Sequence, residues 1–460
     1  MKDMFGKGAV YILALFLSLA VAVLPACCED LPAKEKETLS LSLDDTIRMA
    51  LSNDRDIKIQ EEEVSFARAG ITAAQSKFFP QASIGYGFTY NDAVVTTDSL
   101  PNLKKDTRIF FGYKSNNQLN FSGSQIIYDG GASIANLKEA RVQLKIQEAT
   151  LIARKLDIEF EAKRLFYGLL LAYETLRINQ DLVSQARAHY ENVRNKFGQG
   201  TSSRFDALQS KVQLSKLIPP LVQAENSIET IANDLKKLLY IDMECKINLK
   251  ESLRYHPVDI SLEDFLNEAY RNSPEMRLKL LGVDLGKWAI EFAKSGWYPN
   301  INATGNYTYT SDKIMDMINP RHNNWNLGIN ASFSIFDGMS TLAKVKEAKA
   351  RYSEAVLGKE DIIERIAVDI RRGCLDLKEA HAIILSQRDS LAEAKDALNI
   401  SYIGYDNGVM INLDVIDAQV SLSQVEKNLA GGIYDYLMAG AFLDKVMGRG
   451  YNRNGNDDRR

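Results

Sequence analysis

The stretch ASIGYGFTY, residues 82–90, alternates apolar or aromatic side chains with small or polar ones. The same alternation recurs in INATGNYTYT, residues 301–310. A period of two places successive side chains on opposite faces, so both stretches are predicted to be β-strands. One face of each strand is rich in Tyr, Phe and small apolar residues. The other face is small, polar and uncharged.

The two strands belong to two copies of one unit, because other short motifs repeat with a constant spacing. LSLDD at 41–45 and FPQ at 79–81 recur 219 residues later as ISLED at 260–264 and YPN at 298–300. YDG at 128–130 and FDA at 205–207 recur 208 residues later as FDG at 336–338 and LDV at 413–415. One longer loop in the first copy, between residues 91 and 117, accounts for the change of spacing. An internal duplication follows.

Each copy predicts the same order of elements. The first repeat spans 41–248, with strands at about 81–95 and 108–128, and the second spans 260–448, with strands at about 300–311 and 323–336. A long helix follows each strand pair, from about Ser133 to Lys196 and from about Met339 to Ile403. A last helix begins near Asp206 or Asp414. Residues 449–460 are predicted to form a flexible tail.

The uncharged polar face of the strands favours a membrane β-barrel wall, with lipid on one side and water on the other. Four strands cannot close a barrel around water, and an open edge cannot lie in lipid. Several chains are therefore expected to build one barrel. The long helices, about 64 residues each, would extend ~95 Å and need partners along their length. A soluble periplasmic coiled-coil adaptor or structural protein is the alternative, although it leaves the strand pairs unexplained.

The N-terminus reads as a secretory signal over residues 1–27, with a basic start and an apolar run of ~16 residues that is short for a transmembrane anchor. The exit LPACC resembles a lipoprotein cleavage site, which makes Cys27 a candidate for lipidation. Pro25 departs from that pattern, and ordinary cleavage after Ala26 is equally compatible. No other segment is long and apolar enough to cross a membrane as a helix.

The remaining composition excludes several classes. A net charge of −4 gives no reason to expect nucleic acid. The four histidines are scattered and no nucleophile or phosphate-loop motif occurs, so neither an enzyme, a metal site nor a cofactor is expected. Pro219-Pro220 in the first copy, where the second has Lys427-Asn428, should kink or interrupt the last helix.

From about Leu41 to Gly448 the chain resembles the TolC family of outer-membrane channels. The resemblance rests on the doubled order of elements, on the Phe-Pro and Tyr-Pro starts of the first strands, and on the YDGG and FDGM ends of the second strands. It rests also on the turns FGQGTSSRFDALQSKVQL and YDNGVMINLDVIDAQVSL. It implies a homotrimer with a twelve-stranded barrel over a helical tunnel that projects from the outer membrane into the periplasm. It implies an exit duct for efflux or type I secretion that docks onto a periplasmic adaptor and an inner-membrane transporter.

The segment LDVIDAQ, residues 413–419, carries two carboxylates at the start of a helix. Asp206 and Asp414 are twins, and Asp-x-x-(Gln or Asp) at a helix start is close to a capping box. Asp417 has the neutral twin Gln209, so capping does not explain its charge. The resemblance implies that Asp414 and Asp417 form an acidic ring that constricts the periplasmic tip, where like charges raise one another's pKa and attract cations.

The resemblance also implies bonds between neighbouring coils that hold the tip closed. Tyr405 and Asp206 stand at the matching positions. The basic residue expected in the second turn is absent, because Met410 stands there. Arg204, in the first turn, is the candidate substitute partner for a carboxylate.

Overall fold

The structure, a computed structural model, describes residues 38–91, 95–96, 110–111, 115–257, 261–313 and 323–450. The same order of helices and strands occurs twice in it. The first repeat contains β1 (Thr38–Leu41), α1 (Leu43–Asn53), α2 (Arg55–Gln75), β2 (Gln81–Tyr90), β3 (Val95–Thr96), β4 (Phe110–Phe111), β5 (Ser115–Asp129), α3 (Ala132–Gly198), α4 (Arg204–Leu239) and β6 (Lys246–Leu249). The second repeat contains α5 (Leu262–Asn272), α6 (Pro274–Lys294), β7 (Asn300–Ser311), β8 (Asn323–Ser332), α7 (Ser340–Asp406) and α8 (Asn412–Met447).

Four strands form one antiparallel sheet in the order β2-β5-β7-β8. Its register brings like residues into rows that cross all four strands. One row is polar and uncharged: Ser83, Ser122, Asn306 and Asn326. The next row, on the opposite face, is apolar and aromatic: Ile84, Phe121, Tyr307 and Trp325. The alternation seen in the sequence is thus a property of the whole sheet.

The apolar face of this sheet has no cover within one chain. Ile84 and Trp325 are each 65% exposed, and Leu327 is 78% exposed. Within the described residues, β2 and β8 pair on one side only. The sheet therefore presents an apolar surface and two free edges.

The two long helices begin in the same way. Each contains 67 residues, which corresponds to about 100 Å. The residue before each helix has a left-handed backbone, Gly131 with φ 88° and Met339 with φ 66°. The carboxylates of Asp129 and Asp337 each accept a hydrogen bond from the backbone N–H four residues on, at 2.8 and 2.7 Å. These contacts explain the YDGG and FDGM motifs as helix starts.

Each repeat has its own hydrophobic core around the middle of its long helix. β1 pairs in parallel with β6 and closes the first core, because it joins the start of the repeat to its end. The first core includes Leu41, Ile47, Leu165, Leu169, Leu235 and Leu239. The second includes Phe265, Ile362, Ile366, Ile370, Leu443 and Met447. Sheet and helical tips therefore lie at opposite ends of the long helices, with the cores between them.

Three strands differ from their predicted ranges. β8 ends at Ser332, whereas the sequence predicted strand to residue 336. Its neighbour β7 begins at Asn300, opposite Ser332, so residues 333–336 have no backbone to pair with. The predicted strand 108–128 begins at Ser115 instead. Before it, Phe110–Phe111 pairs with Val95–Thr96 as a separate two-stranded unit, and the predicted first strand ends at Tyr90.

The proline pair does not interrupt its helix, so of the two predicted outcomes, a kink or an interruption, the interruption is wrong. α4 runs through Pro219 and Pro220 without a break. Both prolines are exposed, so the carbonyl groups that lose their N–H partners lie near solvent. The side chain of Asn179 on α3 also donates a hydrogen bond to the carbonyl of Pro220 at 3.4 Å. Among the described residues, no helix is long and apolar enough to cross a membrane.

Candidate functional site at the helical tip

The tip consists of two hairpin turns, α3 to α4 and α7 to α8. Gly200 and Gly408 allow these turns, because their φ angles of 79° and 74° lie in the left-handed region that favours glycine. Contacts between the last turns of α3 and α7 place the hairpins side by side. The tip is therefore one small bundle of four helix ends.

Asp206 and Asp414 are both cap residues, but they occupy the third helical position and not the N-cap. The N-cap of α4 is Ser203, whose hydroxyl accepts from the N–H of Asp206 at 3.0 Å. Asp206 in return accepts from the N–H of Ser203 at 3.4 Å. At α8 only the return half exists: the Ile411 N–H donates to Asp414 at 2.9 Å. The sequence predicts Asp206 as the first residue of the capping box. In the structure the first residue is Ser203, three residues earlier, and Asp206 is the last.

Asp417 and its twin Gln209 have different surroundings. Asp414 and Asp417 are exposed on α8 and lie one turn apart. Gln209 instead accepts a hydrogen bond from the side chain of Asn412 at 3.0 Å. The neutral twin thus binds within the chain, whereas the charged twin faces outward.

Lys196, which the sequence reasoning missed, is the cation that holds a tip carboxylate within the chain. Its Nζ lies 2.9 Å from Asp406 and 4.4 Å from the ring centre of Tyr405, which is buried. Asn192 also donates to Asp406, at 3.1 Å. Hydrogen bonds from Lys196 and Asn192 lower the pKa of Asp406 below its usual range. Arg204 is exposed and makes no ion pair with the described residues of its own chain.

A buried polar cluster lies directly above this ion pair. His189 of α3 is 3% exposed, and its Nε2 lies 2.8 Å from Oδ1 of Asn412, the first residue of α8. The hydroxyl of Ser210 donates to the same oxygen at 2.9 Å. Burial lowers the pKa of His189. We call His189, Gln209, Ser210 and Asn412 the tip clamp, since they join three helices of the two hairpins.

About two turns farther along α8, another buried amide binds a neighbouring helix. Gln419 is buried and donates to the hydroxyl of Tyr402 on α7 at 2.7 Å. The ring of Tyr402 lies edge-on to His189, with 6.2 Å between ring centres. The tip clamp was not visible in the sequence. The one local signal is that His189 and Lys196 have the twins Ala397 and Gly404, which carry no polar side chain.

Other candidate positions carry no site in the described part of the chain. Cys27 lies outside the described residues. Cys245 and Cys374 are free thiols, and no group of His, Cys, Asp and Glu in the described ranges is arranged to hold a metal ion. The tip is therefore the candidate site whose exposed carboxylates and buried polar groups a function must explain.

A two-faced open sheet, joined by helices of about 100 Å to a narrow charged tip, defines an outer-membrane exit channel with a helical tunnel in the periplasm. The family model described as outer membrane efflux protein matches residues 46–239 and 265–449, one segment in each repeat. The chain belongs to this family.

Individual relatives agree with this assignment over nearly the full length. The outer membrane protein TolC of Vibrio cholerae is 21% identical, with 95% of both chains covered. The alkaline protease secretion protein AprF of Pseudomonas aeruginosa is 21% identical, covering 89% of this chain and 84% of the relative. Among solved structures, the CmeC outer membrane channel of Campylobacter jejuni has a TM-score of 0.78 at 17% identity, covering 91% of this chain and 90% of that one. The fold is shared where most of the sequence has diverged.

Proposed function

We propose that three copies of this chain assemble into one duct, with a twelve-stranded barrel in the outer membrane and a closed helical tip in the periplasm. The observation that carries the proposal is the open sheet. Its apolar face is exposed, its polar face is uncharged, and β2 and β8 each have a free edge. Lipid tolerates an apolar face but not a free edge, so β8 of one chain pairs with β2 of the next.

The polar face of the sheet then lines the outer part of the duct. The polar rows that cross all four strands contain only Asn, Gln, Ser, Thr and Gly, for example the row of Gly85, Asn120, Thr308 and Asn324. An uncharged wall does not discriminate cations from anions by fixed charge. Selection by charge is therefore assigned to the other end of the duct.

The second part of the proposal concerns that end. Asp414 and Asp417 of three chains place six carboxylates around the axis and form an acidic gate. Both side chains are exposed in the single chain, as a group that faces a shared axis must be. Arg204 is exposed as well, and we assign to it a carboxylate of the neighbouring chain. Tyr405 and Asp206 support the gate indirectly, by packing under Lys196 and by capping α4.

The duct passes either small molecules or secreted proteins that an inner-membrane transporter delivers through a periplasmic adaptor. The comparisons support both kinds of cargo, since the matching family model describes outer membrane efflux proteins and AprF is an alkaline protease secretion protein. Asp406, Gly408 and Val409 lie at the outermost point of the tip, where such a partner would first make contact. Val409 is 82% exposed there.

Assembly is tested by measuring the mass of the detergent-purified outer-membrane protein. We expect three times the protomer mass, in a heat-resistant complex. A monomer recovered from the soluble periplasmic fraction would contradict the proposal and favour the adaptor alternative.

The gate is tested by single-channel conductance in planar bilayers. The double variant Asp414→Asn, Asp417→Asn should bind La³⁺ about tenfold more weakly as a blocker, because six carboxylates are removed. Asp242→Asn is the matched control, since it neutralises an exposed carboxylate in the loop between α4 and β6. Equal La³⁺ block in the double variant and the wild type would remove the acidic gate from the proposal.

A further inference from the structure

The tip clamp contains a histidine whose neutral form is held in one tautomer. The amide nitrogen of Asn412 donates to Gln209 at 3.0 Å and to the carbonyl of Asp206 at 3.4 Å, which fixes the orientation of the amide. Its oxygen faces His189 and can only accept. Nε2 of His189 therefore carries the hydrogen. Nδ1 is bare, buried and without a hydrogen-bond partner among the described residues.

The clamp acts on the helix that carries the gate. Asn412 is the first residue of α8, two residues before Asp414 and five before Asp417. His189 belongs to α3, and Gln209 and Ser210 belong to α4, so the first repeat holds the start of the gate helix through one amide group. Any change that breaks this amide contact loosens the first turn of the gate helix, which then keeps only the apolar contact of Val415 with Val193 and Ala207 at this end of the first hairpin.

We propose that His189 is a positioning residue of the gate and that proton uptake on its Nδ1 opens the tip clamp. The inference rests on the acidic gate proposed above. A proton on Nδ1 adds a donor in a place that offers no acceptor, and it puts a positive charge on a side chain that is 97% buried from solvent. Opening the clamp removes both costs, because water can then accept the hydrogen bond from Nδ1 and solvate the imidazolium.

The charged and titratable neighbours do not supply a counterion at Nδ1. Asp406 of α7 favours the charged imidazole, but its carboxylate is occupied by Lys196 and Asn192. Lys196, on the same helix as His189, disfavours it. The carboxylates of Asp206 and Asp414 are bound to the starts of their own helices. Tyr402 and Tyr405 lie edge-to-face with the ring of His189 and carry no negative charge.

The sign of the pH effect follows from linkage. Burial lowers the pKa of His189 in the closed clamp, whereas an exposed imidazole in the open clamp titrates near its ordinary value of 6.5. The closed tip is therefore fully favoured above pH 6.5 and loses stability as the pH falls below it. The ion pair between Lys196 and Asp406 does not titrate in this range, because the pKa of Asp406 is lowered from 3.8.

The test is single-channel recording between pH 7.5 and 5.5 in the Asp414→Asn, Asp417→Asn background. This background removes titration of the gate carboxylates, so the remaining response reports the clamp. We expect the open fraction to rise below pH 6.5 by up to about tenfold per pH unit for each of the three clamps, since each clamp takes up one proton. His189→Gln keeps a donor for Asn412 but cannot titrate, and its open fraction should not change with pH. An unchanged acid response in His189→Gln would overturn the inference.

A second variant tests the same idea with the opposite sign. Asn412→Asp gives the protonated His189 a carboxylate partner, so acid should strengthen the clamp and keep the channel closed. Opening on acidification as in the wild type would contradict the inference, even if His189→Gln failed to assemble. His381→Gln is the matched control, because His381 contacts the hydroxyl of Tyr255 near the second core, and its acid response should equal that of the wild type. The La³⁺ block measured at pH 7.5 tests the acidic gate alone. The acid response of the His189 and Asn412 variants tests the tip clamp, so failure of one proposal is distinguishable from failure of the other.

Discussion

The two hairpin tips have the same backbone plan and opposite chemistry. Both turn at a left-handed glycine and both place an aspartate at the third position of the following helix. The twins Arg204 and Asn412 nevertheless differ, as do Gln209 and Asp417. Arg204 is exposed whereas Asn412 is buried, and Gln209 binds within the chain whereas Asp417 is exposed. The two hairpins share one backbone plan, and side chains of the first hairpin bind Asn412 at the start of the last helix of the second.

The difference extends into the helices that lead to the tips. Lys196 reaches across to Asp406, whereas its twin Gly404 leaves room for the side chain of Met410. A Cβ at Gly404 would come within 2.8 Å of Met410. The same position therefore carries a lysine that binds the other hairpin in one copy, and a glycine that makes room for a methionine side chain in the other.

Moving the proline pair from one copy to the other should have the largest effect. Lys427→Pro with Asn428→Pro is expected to lower the stability of the second hairpin by about 3 kcal/mol or more, because two backbone hydrogen bonds are lost in α8. Pro219→Ala with Pro220→Ala should raise the stability of the first hairpin. Thermal unfolding in detergent measures both. Equal midpoints for the two variants would mean that the copies tolerate proline alike.

Breaking the tip clamp should have the next largest effect. Asn412→Ala leaves His189, Gln209 and Ser210 without their shared partner, at a cost of about 2 kcal/mol to the closed tip. The open fraction at pH 7.5 should then rise roughly thirtyfold in planar bilayers. Asn428→Ala, an exposed asparagine on the same helix, serves as the control and should leave gating unaltered.

Removing the cation of the first hairpin should have a smaller effect. Lys196→Met deletes the ion pair with Asp406 and the contact with the Tyr405 ring, and Asp406 is more than half exposed. We expect a loss of about 0.5–1 kcal/mol, which corresponds to a few-fold rise in open fraction that shrinks at high salt. Lys211→Met, at an exposed site on α4, should show no rise.

Completing the cap of the second hairpin should have the smallest effect. Ile411→Ser would give α8 the full box that Ser203 and Asp206 form at α4, and we expect a gain of about 0.5 kcal/mol. Ser203→Ala should cost about 1 kcal/mol at the equivalent place. Both changes can be followed by thermal unfolding. A loss of stability in Ile411→Ser would show that the exposed Ile411 side chain has a role that capping does not describe.

Much of the fold could be predicted because its signals are local. The spacing of repeated motifs identified the duplication, and alternation in residues 82–90 and 301–310 identified the sheet. The long helices end at Gly198 and Asp406, within about three residues of the predicted ends Lys196 and Ile403. The tip clamp could not be predicted, because His189 and Asn412 lie 223 residues apart and meet only through the packing of two hairpins. The same holds for Lys196 and Asp406, 210 residues apart.

The junction between the two repeats at the base of the sheet has a consequence for symmetry. A Cβ on Gly130 would come within 2.5 Å of the carbonyl oxygen of Ser295, so the end of the first strand pair packs closely on the start of the second. Its twin Gly338 has nothing within 4 Å. If the proposed trimer repeats this junction between chains, Gly338 meets Ser76 of the next chain, the twin of Ser295. The contact between the two repeats of one chain is then repeated between neighbouring chains. The six repeats of a trimer would be related by approximate sixfold symmetry.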